Sequence, residues 1–315
     1  MKSEDAEATP LFDRRAWRLH RERAARRGAV DFLHGEITER IVDRLDDVGR
    51  RFRAVLDLGA HSGALSRALA ARPGVERVVA ADPALGFLRP GAALPSAALR
   101  VAADPELLPF RTASFDLAVS ALALHWAADL PGALIQLRRI LKPDGLFLAA
   151  LLGGATLGEL RTAFIEAELA EEGGASPRVS PTASLADAAA LLQRAGFAMP
   201  VADADTITAT YPDLLALMRD LRAMGETNAL SARRRSPLRR GTLARAVAIY
   251  GERFGLPDGR IRASFEILFL TGWAPDASQP KPLRPGSATH RLADALGTVE
   301  ISAGDRAAPP GKGGR

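Results

Sequence analysis

The sequence predicts an α/β protein built on one open, mostly parallel sheet with helices on both faces. Three observations carry this expectation. From Val55 onward, short apolar runs alternate with stretches of helical periodicity. The first of these runs, in VLDLGAHSGALSRALA, breaks at a glycine turn and continues directly as a helix. Strands separated by helices join through right-handed crossovers, which leaves neighbouring strands parallel.

The elements can be justified in order. Ile37, Ile41, Val42, Leu45 and Val48 recur at helical spacing and stop before Gly49. Strand-like runs follow at AVLDL, ERVVAA, ALRVAA, FDLAVSALAL and GLFLAALL, with helices at Ala64 to Ala71, Pro131 to Leu141 and Thr156 to Ala170, and one brief segment after Ala81. The Gly, Ser and Pro content of EEGGASPRVSP marks a loop. Ser184 to Ala195 reads as a helix closed by Gly196, and Val201 to Thr210 as a strand. A helical insertion over 211–256 places Leu214, Leu217, Met218, Leu221 and Met224 on one stripe, which reads as core, before a second helix from Thr242 to Phe254. RIRASFEILFLTGW alternates as a last strand. The expected organisation is a partly ordered basic segment over 1–28, one domain over 29–275 and a loosely ordered tail rich in Pro, Gly and Ala over 276–315.

Composition excludes several classes. The 315 residues, 47 % of them hydrophobic, suffice for one large core or two small ones. No apolar run is long enough for a membrane span. The acidic start, MKSEDAEATP, speaks against a transit peptide beginning at Met1, so a cytoplasmic enzyme is expected. With no cysteine, disulfides, thiolate catalysis and thiolate metal sites are all excluded. The net charge of +5 is concentrated in RRAWRLHRERAARR and ARRRSPLRR. These read as solvated helix faces or a surface for an acidic protein; the interleaved aromatics of a single-strand binder are missing, and no nucleic acid is expected.

Ligands of open α/β sheets sit beyond the carboxyl ends of the strands, which here begins with the turn from Asp57 to Gly63. A dinucleotide fingerprint wants glycine where His61 stands between Gly59 and Gly63, so NAD is disfavoured. A cofactor without phosphates tolerates a side chain there. Asp82 closes the second strand about 20 residues on, where a carboxylate can accept both ribose hydroxyls of an adenosine.

DLGAHSG, Asp82, AADPELLPF, FDLAVSALALHW and LKPDGLF together resemble the successive motifs of class I S-adenosylmethionine-dependent methyltransferases. The resemblance implies a seven-stranded, mostly parallel Rossmann-like sheet with its last strand antiparallel, and S-adenosyl-L-methionine as cofactor. It places Asp57, Gly59 and Gly63 at the methionine half, Asp82 on the ribose and Asp104 at the adenine amine, while His61 reads either as a polar wall of the cofactor pocket or as a structural residue. Two positions depart from the family pattern. His61 replaces a glycine, and Pro105 offers no N–H to the adenine.

Further stretches lie outside those motifs: LFDRRAW, ALHWAADLPGAL, GGATLGELR, EGGASPRVSP, YPDLLALMRDLRAMGETN and SQPKPLRPGSAT. They resemble the mitochondrial complex I assembly factors of arginine-hydroxylase type and their bacterial relatives, with malonyl-[acyl-carrier protein] O-methyltransferase as a near relation. The implied partner is a respiratory complex I subunit or an acyl carrier protein, and a peripheral position at a membrane is compatible with it. For a mitochondrial protein this means the matrix side of the inner membrane. By the same resemblance, Phe12, Asp13 and Arg14 close over the cofactor.

The chemistry left open is methylation, hydroxylation or a noncatalytic assembly role. Methyl transfer to a carboxylate needs alignment more than a base. Hydroxylating a guanidinium calls for iron, copper or a flavin, and the five histidines offer little for that. His34-Gly35-Glu36 spells half a metal site, but helical residues two apart point in different directions, and no metal is expected. His125 and Trp126 follow the fourth strand at its carboxyl end. They either face the reacting centre, with His125 orienting a substrate or taking a proton, or cap the core beneath the N-terminal helix.

Overall fold

The computed structural model describes residues 10–28, 30–89, 94–280 and 291–299. The chain divides into two compact units, Met1–Ala277 and Ser278–Arg315. In the first, the elements run α1 (Arg14–Arg27), α2 (Phe32–Asp46), β1 (Ala54–Leu58), α3 (Ala64–Ala70), β2 (Arg77–Asp82), α4 (Leu85–Leu88), β3 (Leu99–Ala102) and β4 (Phe115–Ala121). They continue with α5 (Leu130–Ile140), β5 (Leu141–Leu152), α6 (Gly158–Glu172), α7 (Leu185–Arg194), β6 (Ala198–Tyr211), α8 (Leu214–Met224), α9 (Arg240–Phe254) and β7 (Ile261–Trp273). The second unit contributes α10 (Leu292–Leu296); most of the expected loose tail lies outside the described residues.

The sheet has seven strands in the order β3-β2-β1-β4-β5-β7-β6. Neighbours from β3 to β5 are parallel, and β7 runs antiparallel between β5 and β6. This is the seven-stranded architecture with a reversed last strand that the motifs imply. The period of two in each strand divides the core between the faces. Val55, Leu117, Val119, Phe265, Ile267 and Phe269 face α2, α3, α6, α8 and α9. Leu56, Leu58, Ala118, Leu268 and Leu270 face α5 and α7. The stripe from Leu214 to Met224 joins the first of these cores, as its spacing predicts.

Strand order reverses between β1 and β4, so their carboxyl ends diverge and leave a crevice. Three non-glycine residues with positive φ cluster at strand ends there: His61 (46°), Leu122 (53°) and Leu157 (53°). Side chains in that region are strained, and such residues gather where function constrains backbone.

The N-terminal basic segment departs from expectation. Met1 to Thr9 lie outside the described residues, but Arg14 to Arg27 form a full helix capped by Asp13, whose carboxylate accepts from Ala16 N at 3.0 Å. The helix is no solvated face. Trp17, Arg21 and Ala24 are buried, and an isolated antiparallel bridge from Phe12 to Leu230 fastens the chain before it. Sequence periodicity missed this because the buried stripe is built on an arginine, which is rarely enclosed unless paired.

Candidate active site

The loop after β1 is shaped by its glycines. Gly59 has φ +84°, and a Cβ there would meet the Ala123 side chain at 2.3 Å. Gly63, also at positive φ, precedes α3. Backbone N–H groups of Gly59 and Ala60 donate to Ala81 O, which ties the loop to the end of β2.

Asp57 is wholly buried. One oxygen accepts from Ser66 Oγ at 2.5 Å, and the other, Oδ1, has no partner. Burial pushes its carboxyl up to about 7, with Ser66 opposing and the charge of Asp82 adding to the rise.

Asp82 is also fully buried and fully used. Its carboxylate accepts from His61 N at 3.1 Å and Ala84 N at 2.8 Å. Arg21 of α1 grips it from above, with Nη2 donating to Oδ2 at 2.5 Å and Nε to Oδ1 at 3.3 Å. Arg21 and Asp82 are both 0 % exposed. Burial disfavours the guanidinium charge, but the Asp82 carboxylate outweighs it and holds Arg21 above its ordinary value. About two turns earlier on the same side of α1, Arg14 pairs with Asp104 and donates from Nη1 to Trp126 O at 3.1 Å. The two carboxylates expected on ribose and adenine are therefore both held by arginines of one helix.

His61 turns inward. Its ring stacks on His34 at 3.9 Å and 6°, lies 4.3 Å from Phe87, and its Nε2 contacts Met224 O at 3.0 Å. Burial drives its pKa down to about 3, and that of His34 well below the ordinary value, so both rings are neutral. His34 is thus a stacking partner in the core. Among the described residues no group of three His, Cys, Asp or Glu side chains is placed to hold a metal ion.

Between α2 and the glycine loop only about 10 Å³ of cavity remains, lined by His34, Thr38, Asp57 and Ser62 among others. Buried polar atoms without partners among the described residues gather here: Asp57 Oδ1, Ser62 Oγ, His61 Nδ1, both ring nitrogens of His34 and Arg21 Nη1. Buried polar atoms left unpaired are costly. Their number at this one strand end fits a polar cofactor seated there. Asp57, Asp82 and Asp104 are the residues that would hold it, once α1 releases the latter two.

A larger cavity of about 550 Å³ lies beside this end. Leu33, Leu152, Leu160, Phe164, Met218 and Phe265 wall it, α1 closes one side with Ala16, Leu19, His20 and Arg23, and His125, Trp126 and Glu226 border it. For Trp126 the capping arrangement is the one observed. Trp126 packs under α1, edge-on to Phe12 at 5.2 Å and tilted to Trp17 at 6.2 Å. His125 borders the cavity, its Nε2 3.0 Å from Glu226 Oε2. Trp126 Nε1 also donates to that oxygen, at 3.0 Å. Burial opposes the Glu226 charge, but His125, Arg21 and the Trp126 N–H hold its carboxyl below the ordinary value. Arg21 and Glu226 escape sequence reasoning; only the presence of MGETN among the unexplained stretches pointed near Glu226, whereas Arg14 was expected over the cofactor and His34 was weighed as half a metal site.

The sheet order, the glycine loop and the strand-end carboxylates define a methyltransferase domain. A family model described as a methyltransferase domain matches residues 56–149. The BH2331 protein of Bacillus halodurans C-125 (TM-score 0.50, 15 % identity, covering 75 % of this chain and 99 % of that one) shares the fold. So does the YcgJ protein of Bacillus subtilis (0.51, 16 %, 75 % and 98 %). Similarity to full-length relatives is narrower. The chain is 41 % identical over 287 residues to "Arginine-hydroxylase NDUFAF5, mitochondrial" of Danio rerio, covering 90 % of this chain and 89 % of that protein. The Homo sapiens protein of the same name is 39 % identical over 305 residues (96 % and 86 %). "Malonyl-[acyl-carrier protein] O-methyltransferase" of Xylella fastidiosa (strain M23) is 37 % identical over 279 residues (86 % and 90 %). The chain belongs to the family of these arginine-hydroxylase NDUFAF5 proteins, within the S-adenosylmethionine-dependent methyltransferase class of enzymes.

Proposed function

We propose that this enzyme modifies an arginine side chain of a partner protein, a subunit of respiratory complex I, and thereby serves assembly of that complex. One observation carries the reading. Of the described residues bordering the 550 Å³ cavity, only His125 and Trp126 fall inside the stretch matched by the domain model; the rest come from α1, α2, the last residue of β5, α6, α8, β7 and the loops between them. The match to the NDUFAF5 relatives extends over 90 % of this chain, well beyond the stretch of the domain model, and segments that wall a cavity select what enters it.

S-adenosylmethionine, when bound, supplies an electrophilic methyl group. The chain's own residues divide the remaining work. Asp57, Asp82 and Asp104 hold the cofactor once Arg21 and Arg14 of α1 release the latter two. His125, fixed by Glu226, presents its other ring nitrogen as a proton acceptor beside the cavity. The apolar walls exclude water from a side chain lying along them.

In a mitochondrion the enzyme works on the matrix side of the inner membrane, and in a bacterium on the cytoplasmic face. None of the helices in the described residues is long and apolar enough to cross a membrane.

A second reading, methylation of an acyl group on a carrier protein, is favoured by Arg23 and Arg222. Both border the cavity and are exposed, without an ion-pair partner among the described residues, and would suit an acidic carrier. Intact-mass analysis of the partner from wild-type and deletion strains separates the readings. A gain of about 16 Da on one arginine marks hydroxylation and about 14 Da methylation, the masses of one oxygen and one methylene. An unmodified arginine, with biotin auxotrophy and full complex I activity, overturns the proposal in favour of the carrier.

A further inference from the structure

We infer that Glu226 is the seat of the substrate guanidinium and that Arg23 and Arg222 select for acidic residues flanking the target arginine. This rests on the arginine-modifying reading above and adds the residue that recognises the side chain.

The argument begins with polarity. Among the side chains bordering the 550 Å³ cavity, Glu226 is the only carboxylate. Its side chain is 5 % exposed, whereas Arg23 and Arg222 are open to solvent. The same cavity is walled by Leu33, Leu152, Leu160, Phe164, Met218 and Phe265. An arginine side chain has the same gradient in reverse, with an apolar stem that packs along such walls and a charged head that needs an acceptor.

Hydrogen-bonding capacity points the same way. His125 Nε2 and Trp126 Nε1 both donate to Glu226 Oε2 at 3.0 Å, while Oε1 has only a secondary contact from Trp126 at 3.3 Å. An ionised carboxylate offers about four lone-pair directions, so Oε1 keeps acceptor capacity. The other ring nitrogen of His125, Nδ1, is buried and has no partner among the described residues. An unfilled carboxylate acceptor therefore lies at this end of the cavity. A guanidinium brings five donors in a rigid fork.

Charge completes the case. The neighbouring buried ions Arg21 and Asp82 cancel, Arg178, Arg233 and Arg234 at the cavity's border are paired with Glu168, Asp13 and Glu172, His34 and His61 are neutral, and Glu226 keeps its negative charge. A buried negative charge invites a cation and repels an anion. That favours a guanidinium over the carboxylate of a malonyl group.

The test uses the full-length protein and fluorescein-labelled peptides carrying one arginine between two aspartates. Companion peptides replace the arginine by citrulline, a neutral isostere, or the aspartates by asparagines. Fluorescence anisotropy should show the citrulline peptide binding about 10- to 100-fold more weakly than the arginine peptide, the range of a charged hydrogen bond. Glu226→Gln should abolish that preference, and Glu226→Asp, which keeps the charge, should retain most of it. Arg23→Ala with Arg222→Ala should erase the preference for aspartate while leaving that for arginine. Thermal melts confirm that each variant is folded.

Equal binding of arginine and citrulline peptides by the wild type, no binding of the arginine peptide, or a preference that survives Glu226→Gln overturns the inference. Binding that behaves as expected while the partner gains no mass leaves the seat standing and removes the catalytic reading instead.

Discussion

Replacing Arg21 by methionine removes the guanidinium from Asp82 and keeps most of the apolar stem between the Trp17 and Phe87 rings, whose centroids lie 5.9 and 5.5 Å from Arg21 Cζ. In the free protein the change leaves a buried carboxylate without its cation. Breaking such a pair costs about 3–5 kcal/mol. The N–H groups of His61 and Ala84 stay on Asp82, so the lower end applies. A loss of about 3 kcal/mol in a unit of this size lowers Tm by roughly 6–12 °C. Cofactor binding should move the opposite way. The wild-type protein must surrender the Arg21 contacts before Asp82 can accept ribose hydroxyls, and its affinity carries that cost. Charged hydrogen bonds are worth about 1.5–3 kcal/mol, so Arg21→Met should bind S-adenosylhomocysteine about 10- to 100-fold more tightly. Titration calorimetry reads the affinity and differential scanning calorimetry the stability. The double variant with Asp82→Ala should bind no better than Asp82→Ala alone. Unchanged or weaker binding by Arg21→Met would refute the reasoning, because Arg21 would then belong to the bound state.

Two further outcomes follow from the same strand ends. The Asp57 carboxyl is raised from 3.8 to about 7 in the folded protein, so the native state binds the extra proton and stability falls as pH rises between these values. Asp57→Asn, which mimics the protonated carboxyl, should be near neutral in Tm at pH 4 and clearly stabilising at pH 8, by at most about 4 kcal/mol; a gap that does not widen with pH would show that Asp57 is not so perturbed. Gly59→Ala places a methyl 2.3 Å from the Ala123 side chain at φ +84°, so it should cost more than about 3 kcal/mol in denaturant melts, and a change within 1 kcal/mol would mean the loop is free to shift.

By itself the sequence determined the elements and their order. Periods of two and 3.6, the glycine turn after AVLDL and the closing Gly196 after the helix from Ser184 are local signals, readable because neighbours in sequence are neighbours in space. Asp57, Gly59 and Asp82 were legible for the same reason: they stand at strand ends, and crossover topology brings strand ends together. The tertiary structure alone decided what those carboxylates touch. Arg21 meets Asp82 across 61 positions, Arg14 meets Asp104 across 90, and Trp126 meets Glu226 across 100. No local pattern encodes such pairs. The buried face of α1 looks in sequence like one more solvated run of arginines, because whether an arginine faces water or a carboxylate depends on the distant strand end that folding places beneath it.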